Sequence, residues 1–192
     1  MRLLILRHAS TPWNEGRRLQ GRRDLALSRR GIAEASAWRL PGCAAAWPVL
    51  TSPLKRAQQT AELMGLQARP APWSIEMDWG RWEGRSLAEL RVALGARMTA
   101  IEARGLDLTP PGGESPRAVS QRLAMALEAY GRGYGGWVLV AHKGVIRALL
   151  SLATGWDMRL DWPERLRPAC GHLFELGPMG RPALVRLNLD LR

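Results

Sequence analysis

Leu3-Leu4-Ile5-Leu6-Arg7-His8 and Trp137-Val138-Leu139-Val140-Ala141-His142 are two apolar runs of strand length, each ending on a histidine. A short unbroken apolar run reads as a strand buried on both faces, the pattern of a parallel sheet covered by helices. In an open α/β sheet, reactive side chains gather where parallel strands end, because the loops there leave a crevice that helix N-termini face. Laid side by side, the two runs bring His8 and His142 into one pocket with Arg7 beside them. The chain has three histidines in all, so two in equivalent settings form a pointed signal. Imidazoles beside a guanidinium suit an oxyanion, a phosphoryl group above all.

Outward from these runs, strand-like and helix-like segments alternate. The expected fold is therefore α/β, three layers deep, with helices on both faces of a mostly parallel central sheet. After the first strand, residues 8–27 read as a polar loop rich in Gly and Arg. Ser28 caps a helix that reaches about Leu40, where Pro41-Gly42 stops it. Pro48-Val49-Leu50-Thr51 is a short strand, and Ser52-Pro53 reads as N-cap and first residue of a helix to about Met64. Trp73-Ser74-Ile75 is expected to be another short strand. Ser86 opens a broken helical stretch to Arg104 with Leu87, Leu90 and Leu94 on one face. Ser115-Pro116 starts a helix to about Tyr130, and a turn over Gly131–Gly136 leads into the second apolar strand. A helix over 144–153 follows. Leu173–Leu176 and Ala183–Leu189 form an antiparallel C-terminal edge.

The 192 residues, 46% hydrophobic and 23% charged, fit a single domain over 1–192 with no linker or low-complexity tract. No leader pattern precedes the first strand and no apolar run reaches membrane-spanning length, so a cytoplasmic protein with no membrane partner is expected. Two cysteines, Cys43 and Cys170, lack metal or redox spacing. The net charge of +11 raises nucleic acid as a partner. Its cations are nearly all Arg, spread along the chain among Asp and Glu rather than gathered in a block. A small anionic ligand accounts for them as well, and no nucleic acid is expected.

Further residues could act with the histidines. Thr11 and Asn14 follow His8 and can donate hydrogen bonds to an oxyanion. Arg56 sits in the first turn of its helix, where its charge and the helix N-terminus can act on one anion. Lys143-Gly144 follow His142 at the head of another helix. Trp13, Trp79 and Trp82 lie in the loops around the pocket mouth. His172, in the C-terminal strand, is read as structural.

Taken together, these blocks resemble the histidine phosphatase superfamily, the phosphoglycerate mutase-like fold, over nearly the whole chain. Arg7-His8-Ala9-Ser10-Thr11 with Asn14 is similar to its Arg-His-Gly-x-Thr-x-x-Asn signature. Gly21, Asp24, Leu27, Ser28 and Gly31 match a second block, and Ser52-Pro53-Leu54-Lys55-Arg56-Ala57 with Thr60-Ala61 a third. Glu76 through Trp79-Gly80-Arg81-Trp82-Glu83-Gly84 resembles the acid-bearing loop. Val138–His142 with Gly144–Arg147 resembles the last block.

The resemblance implies that His8 is the nucleophile that becomes phosphorylated and that His142 is its electrostatic partner. It implies that Glu76 donates the proton, with Glu83 as its rival in the same loop. Arg7, Arg56 and Asn14 would hold the phosphoryl oxygens, and Thr11, Gly21 and Lys143 would belong to the substrate site. Trp79 and Trp82 would wall the acid. No metal and no cofactor are implied, since convergent cations suffice for phosphoryl transfer. The expected activity is hydrolysis of a small phosphorylated metabolite. Mutase-type transfer is the alternative, disfavoured by the short stretch between Gly84 and Pro111 and the end at Arg192. A binding module that grips phosphate or nucleic acid without turnover is the alternative outside enzymes. A homodimer stays open. Three positions depart from the family pattern: Ala9 for Gly, Ser10 for Glu and Lys143 for Gly.

Overall fold

β1 (Arg2–Arg7) and β4 (Gly136–Ala141) pair in parallel with Arg7 opposite Ala141, so the residues that follow them, His8 and His142, emerge side by side. This is a computed structural model, and it describes residues 1–130 and 135–192. The four remaining strands are β2 (Val49–Thr51), β3 (Ala68–Pro70), β5 (Cys170–Leu176) and β6 (Pro182–Asp190). One mixed sheet results, in the order β3-β2-β4-β1-β5-β6. The strands β3, β2, β4 and β1 run parallel, whereas β5 and β6 are antiparallel. The chain runs outward from β1 to β2 and β3, then returns to insert β4 between β2 and β1. That reversal opens the crevice at the ends of β1 and β4.

Alternate residues of the central strands feed two cores. On one face Leu3, Ile5 and Leu139 pack with Val119, Leu123 and Leu127 of α6 (Pro116–Tyr130) and Val145, Ile146 and Leu149 of α7 (Lys143–Thr154). On the other, Leu4, Leu6, Val138 and Val140 meet Ala35 of α2 (Arg29–Ala37) and Ala57 and Ala61 of α3 (Lys55–Leu63). Each Leu, Ile or Phe fully buried in this way contributes about 1.5–3 kcal/mol. A small third cluster of Trp82, Leu90 and Met98 ties α4 (Leu87–Leu94) and α5 (Ala96–Glu102) into a cap beside the crevice. Among the described residues no helix is long and apolar enough to cross a membrane.

Several local expectations shift. The loop after β1 contains a one-turn helix, α1 (Pro12–Glu15), closed by a reciprocal cap between Thr11 and Asn14. The strand expected at 73–75 is a 3₁₀ turn over Pro72–Ser74, and the strand of that region is β3, pairing with β2. α3 begins at Lys55 rather than Pro53. The Lys55 N–H is met by Asp24 Oδ1 at 2.6 Å, while the Ser52 hydroxyl accepts the Leu54 N–H at 3.4 Å. The stretch 86–104 breaks at Gly95, whose φ of 50° suits glycine. Most of the turn expected over Gly131–Gly136 lies outside the described residues.

Candidate active site

His8 is buried at the end of β1, with its ring held at both nitrogens. Nδ1 lies 2.7 Å from the Ala9 carbonyl, which can only accept, so Nδ1 carries the proton and Nε2 presents its lone pair. Arg56 Nε donates to that Nε2 at 3.2 Å. Burial pushes the His8 imidazole well below its usual pKa, and the Arg7 and Arg56 guanidiniums push it further, so the ring is neutral. Ala9 itself is buried at ordinary φ, and its methyl joins the core, so the missing glycine costs the loop nothing. The Ala9 amide donates to Thr60 Oγ1 at 3.0 Å, tying the loop to α3.

Arg56 is fully buried, and its remaining nitrogens donate to the Gly21 and Arg23 carbonyls, each at 2.8 Å. Gly21 has a φ of 54° and its Cα packs on Glu83 and Trp79, leaving no room for a side chain. His142 caps α7 and lies beneath His8, with ring centroids 5.2 Å apart. Its Nε2 is 2.6 Å from Ser52 Oγ, while its buried Nδ1 has no partner among the described residues. Burial, then the charges of Arg56 and Arg7, hold this second imidazole neutral as well. Arg7 Nε is likewise buried without a partner.

Glu76 is buried, and two backbone amides fix its carboxylate: Met77 N–H to Oε1 at 2.8 Å and Gly144 N–H to Oε2 at 3.1 Å. The loop ahead of it is clamped by Arg122 of α6, which donates to the Trp73 and Ile75 carbonyls and pairs with Glu114 at 3.0 Å.

These groups border one cleft of about 650 Å³. Arg7, His8, Asn14, Gly21, Arg56, Glu76 and Lys143 line it. His142 sits behind His8 rather than in the wall. Thr11 is fully buried and does not reach the cleft. Its hydroxyl accepts from Gln20 Nε2 at 2.6 Å and donates to Asn14 Oδ1 at 3.1 Å, so it orients Asn14 instead of meeting a ligand. Glu83 also lies outside the cleft, accepting from the Arg22 amide at 2.6 Å and pairing with Arg23 at 3.5 Å. Of the three mouth tryptophans only Trp79 lines the cleft; Trp82 belongs to the cap cluster and Trp13 packs on Gly84. Sequence reasoning missed Ser52 as a histidine partner, Gln20, Arg122, and the segment Met158–Asp161, which closes one side of the cleft. His172, fully buried, accepts from the Asn188 amide at 3.2 Å, far from this chemistry along β5.

A doubly wound α/β sheet with two neutral imidazoles, two guanidiniums and a carboxylate at its switch point defines an oxyanion-pocket protein of the phosphoryl-handling kind. The family model of histidine phosphatase superfamily branch 1 matches residues 3–190, and the chain belongs to that superfamily. It is 37% identical over 205 residues to a glucosyl-3-phosphoglycerate phosphatase of Mycobacterium tuberculosis, covering 97% of this chain and 85% of that protein. It is 34% identical over 169 residues to a bifunctional protein of the same organism, covering 79% of this chain but only 44% of that one. Among solved structures, a phosphoglycerate mutase from Thermus thermophilus superposes with a TM-score of 0.71 at 32% identity, covering 99% of this chain and 100% of that one.

Proposed function

We propose that this chain hydrolyses phosphomonoesters through a phosphohistidine on His8, without a metal or cofactor. The observation that carries the reading is the locked His8 ring. With Nδ1–H fixed on a carbonyl, the neutral Nε2 keeps its lone pair at the cleft; Arg56 Nε–H occupies it in the free protein and turns to the phosphoryl oxygens when substrate binds. In the first step Nε2 attacks phosphorus and the ester P–O bond breaks, while Glu76 gives its proton to the departing alkoxide. In the second step Glu76 takes a proton from water, whose oxygen attacks phosphorus and releases inorganic phosphate and free His8. Arg7 and Arg56 meet the charge that spreads over the three equatorial oxygens, with the Asn14 amide as a further donor. With the Ser52 hydroxyl donating to its Nε2, His142 holds its proton on the unpartnered Nδ1 and, from behind His8, acts as the electrostatic partner of the reacting ring. Gly21 shapes the cleft through its carbonyl contact with Arg56.

The similarity to a named phosphatase supports hydrolysis, and the mutase-named structure keeps phosphoryl transfer as the second reading. Single-turnover labelling with a ³²P-phosphomonoester tests the covalent step. The expected result is an acid-labile adduct that disappears in His8→Ala, and an active wild-type enzyme with no adduct would refute it. Comparing phosphate release with isomerisation of 3-phosphoglycerate separates hydrolase from mutase. Eight Arg or Lys side chains against three carboxylates line the cleft, which favours a small anionic substrate over nucleic acid in a cytoplasmic setting.

A further inference from the structure

Lys143 and Arg147 stand four residues apart on α7, so they share one face of the helix, and both line the cleft. Like charges at this spacing repel. Of the cations that line the cleft, Arg91 is paired with Glu102 at 2.7 Å and Arg159 with Asp157 at 3.6 Å, whereas Arg7 and Arg56 belong to the phosphoryl seat. Among the described residues, neither Lys143 nor Arg147 forms an ion pair. Burial disfavours both charges; the Arg7 and Arg147 guanidiniums bear further on Lys143, and the fields of Asp161 and Glu76 partly relieve both cations. Folding alone gains nothing from such a pair.

Arg147 is nonetheless held still. Its guanidinium lies over the Trp156 ring, 4.9 Å from the centroid. That indole is fixed in turn by its N–H bond to the Leu160 carbonyl at 2.9 Å and by edge contact with Trp162 at 5.6 Å. Stacking on an aromatic face positions a cation without cancelling its charge, which is what an anion-recognition group requires. Lys143 directly follows His142, and Arg147 stands one turn, about 5.4 Å, further from the phosphoryl seat. A cleft of about 650 Å³ leaves ample space beyond that seat for the rest of a substrate.

We propose that Lys143 and Arg147 form a second anion subsite, so that the favoured substrates are phosphomonoesters whose alcohol carries its own anionic group. The inference rests on the hydrolase reading for the word substrate, but the subsite can be measured without turnover. Calorimetric titration would compare 3-phosphonopropionate and 5-phosphonopentanoate with propylphosphonate and pentylphosphonate, none of which can be hydrolysed as an ester. At least one carboxylated member should bind about tenfold more tightly than its alkyl match, as expected for a charge-assisted contact. Lys143→Gln/Arg147→Gln should reduce that preference to about twofold or less. Arg147→Lys should keep most of it, and Arg29→Gln, on α2 outside the cleft lining, should keep all of it. If the double variant melts early, Lys143→Gln alone, at the exposed mouth, should cut the preference by about threefold. Equal affinities in the wild type, or a preference that survives both substitutions, overturn the subsite. Loss of preference in Arg29→Gln assigns it to the general field and overturns the subsite too. Failure to release phosphate from any ester overturns the hydrolase reading alone, and the phosphonate comparison still decides the subsite.

Discussion

Arg56 Nε donates to His8 Nε2 across 3.2 Å, and the same guanidinium ties down the Gly21 and Arg23 carbonyls. One side chain thus aims the nucleophilic nitrogen, shapes the facing loop and supplies positive charge. A lysine has one ammonium and cannot span the three acceptors. Arg56→Lys should lower kcat by roughly 10²–10³, the usual cost of an oxyanion donor. It should also destabilise the fold by about 1–3 kcal/mol, because buried acceptors lose their partners. Steady-state kinetics and urea unfolding check both, and a variant with wild-type kcat would remove Arg56 from the reaction.

Glu76 is held by the Gly144 amide, and Gly144 is a glycine for a reason visible in space. A Cβ built there runs into Glu76 Oε1. Gly144→Ala should therefore displace the acid and mimic Glu76→Gln, while alanine suits the first turn of α7 at least as well as glycine. Both variants should lose about 10²–10⁴ on an alkyl phosphate. In the phosphorylation step, read as the pre-steady-state burst of alcohol, the loss should be far smaller on 4-nitrophenyl phosphate, whose leaving group needs no proton. Equal losses of burst rate on the two substrates would mean that Glu76 does not protonate the leaving group.

The parts of this molecule legible in the sequence are those written locally. β1 and β4 announce themselves as apolar runs, Ser28 and Ser86 as caps, and His8, Arg56 and His142 by their place at strand ends or in the helices that follow. What escaped depends on partners distant in sequence. β3 is only Ala68-Arg69-Pro70, with no apolar alternation, and exists because β2 offers an edge. Ser52 reads as a helix cap, yet His142, ninety residues on, takes its hydroxyl and the helix starts later. Thr11 reads as a ligand-facing donor, but the Gln20 amide and Asn14 occupy it. Glu83 and Glu76 share one loop, and only the fold reveals that one points at Arg22 and Arg23 and the other into the cleft.

The Ser52–His142 bond of 2.6 Å is the only hydrogen bond this imidazole makes among the described residues, since Nδ1 has none. Ser52→Ala leaves both ring nitrogens unpaired in a buried site and frees the tautomer. The expected cost is about 1–3 kcal/mol of stability and about tenfold in kcat/KM, through a proton no longer held on Nδ1. Nitrogen-15 spectra of the histidine rings would read the tautomer directly. An unchanged Nδ1–H signal in Ser52→Ala would show that another group sets it.

All three histidines are buried and neutral in the native chain. His8 and His142 are held well below their usual range, and His172 is pushed down to about 4 by burial, with Glu164 opposing. In the unfolded chain each regains a pKa near 6.5. Below that value the unfolded state binds protons that the native state refuses, so stability is complete above about pH 6.5 and falls as the pH drops. His172 alone accounts for on the order of 3 kcal/mol across its window. Three such groups give a limiting slope of about 4 kcal/mol per pH unit. Carboxylates whose pKa is lowered in the fold, such as Glu34 beside Ser10 and Arg30, lose their contribution only nearer pH 4, so the range from 6.5 to 5 belongs to the histidines. Urea unfolding at several pH values in this range should show wild-type stability falling steeply. His8→Ala should fall with a slope smaller by about one proton, or roughly 1.4 kcal/mol per pH unit. Parallel slopes for the two proteins would mean that native His8 already carries a second proton, and a protonated Nε2 cannot attack phosphorus.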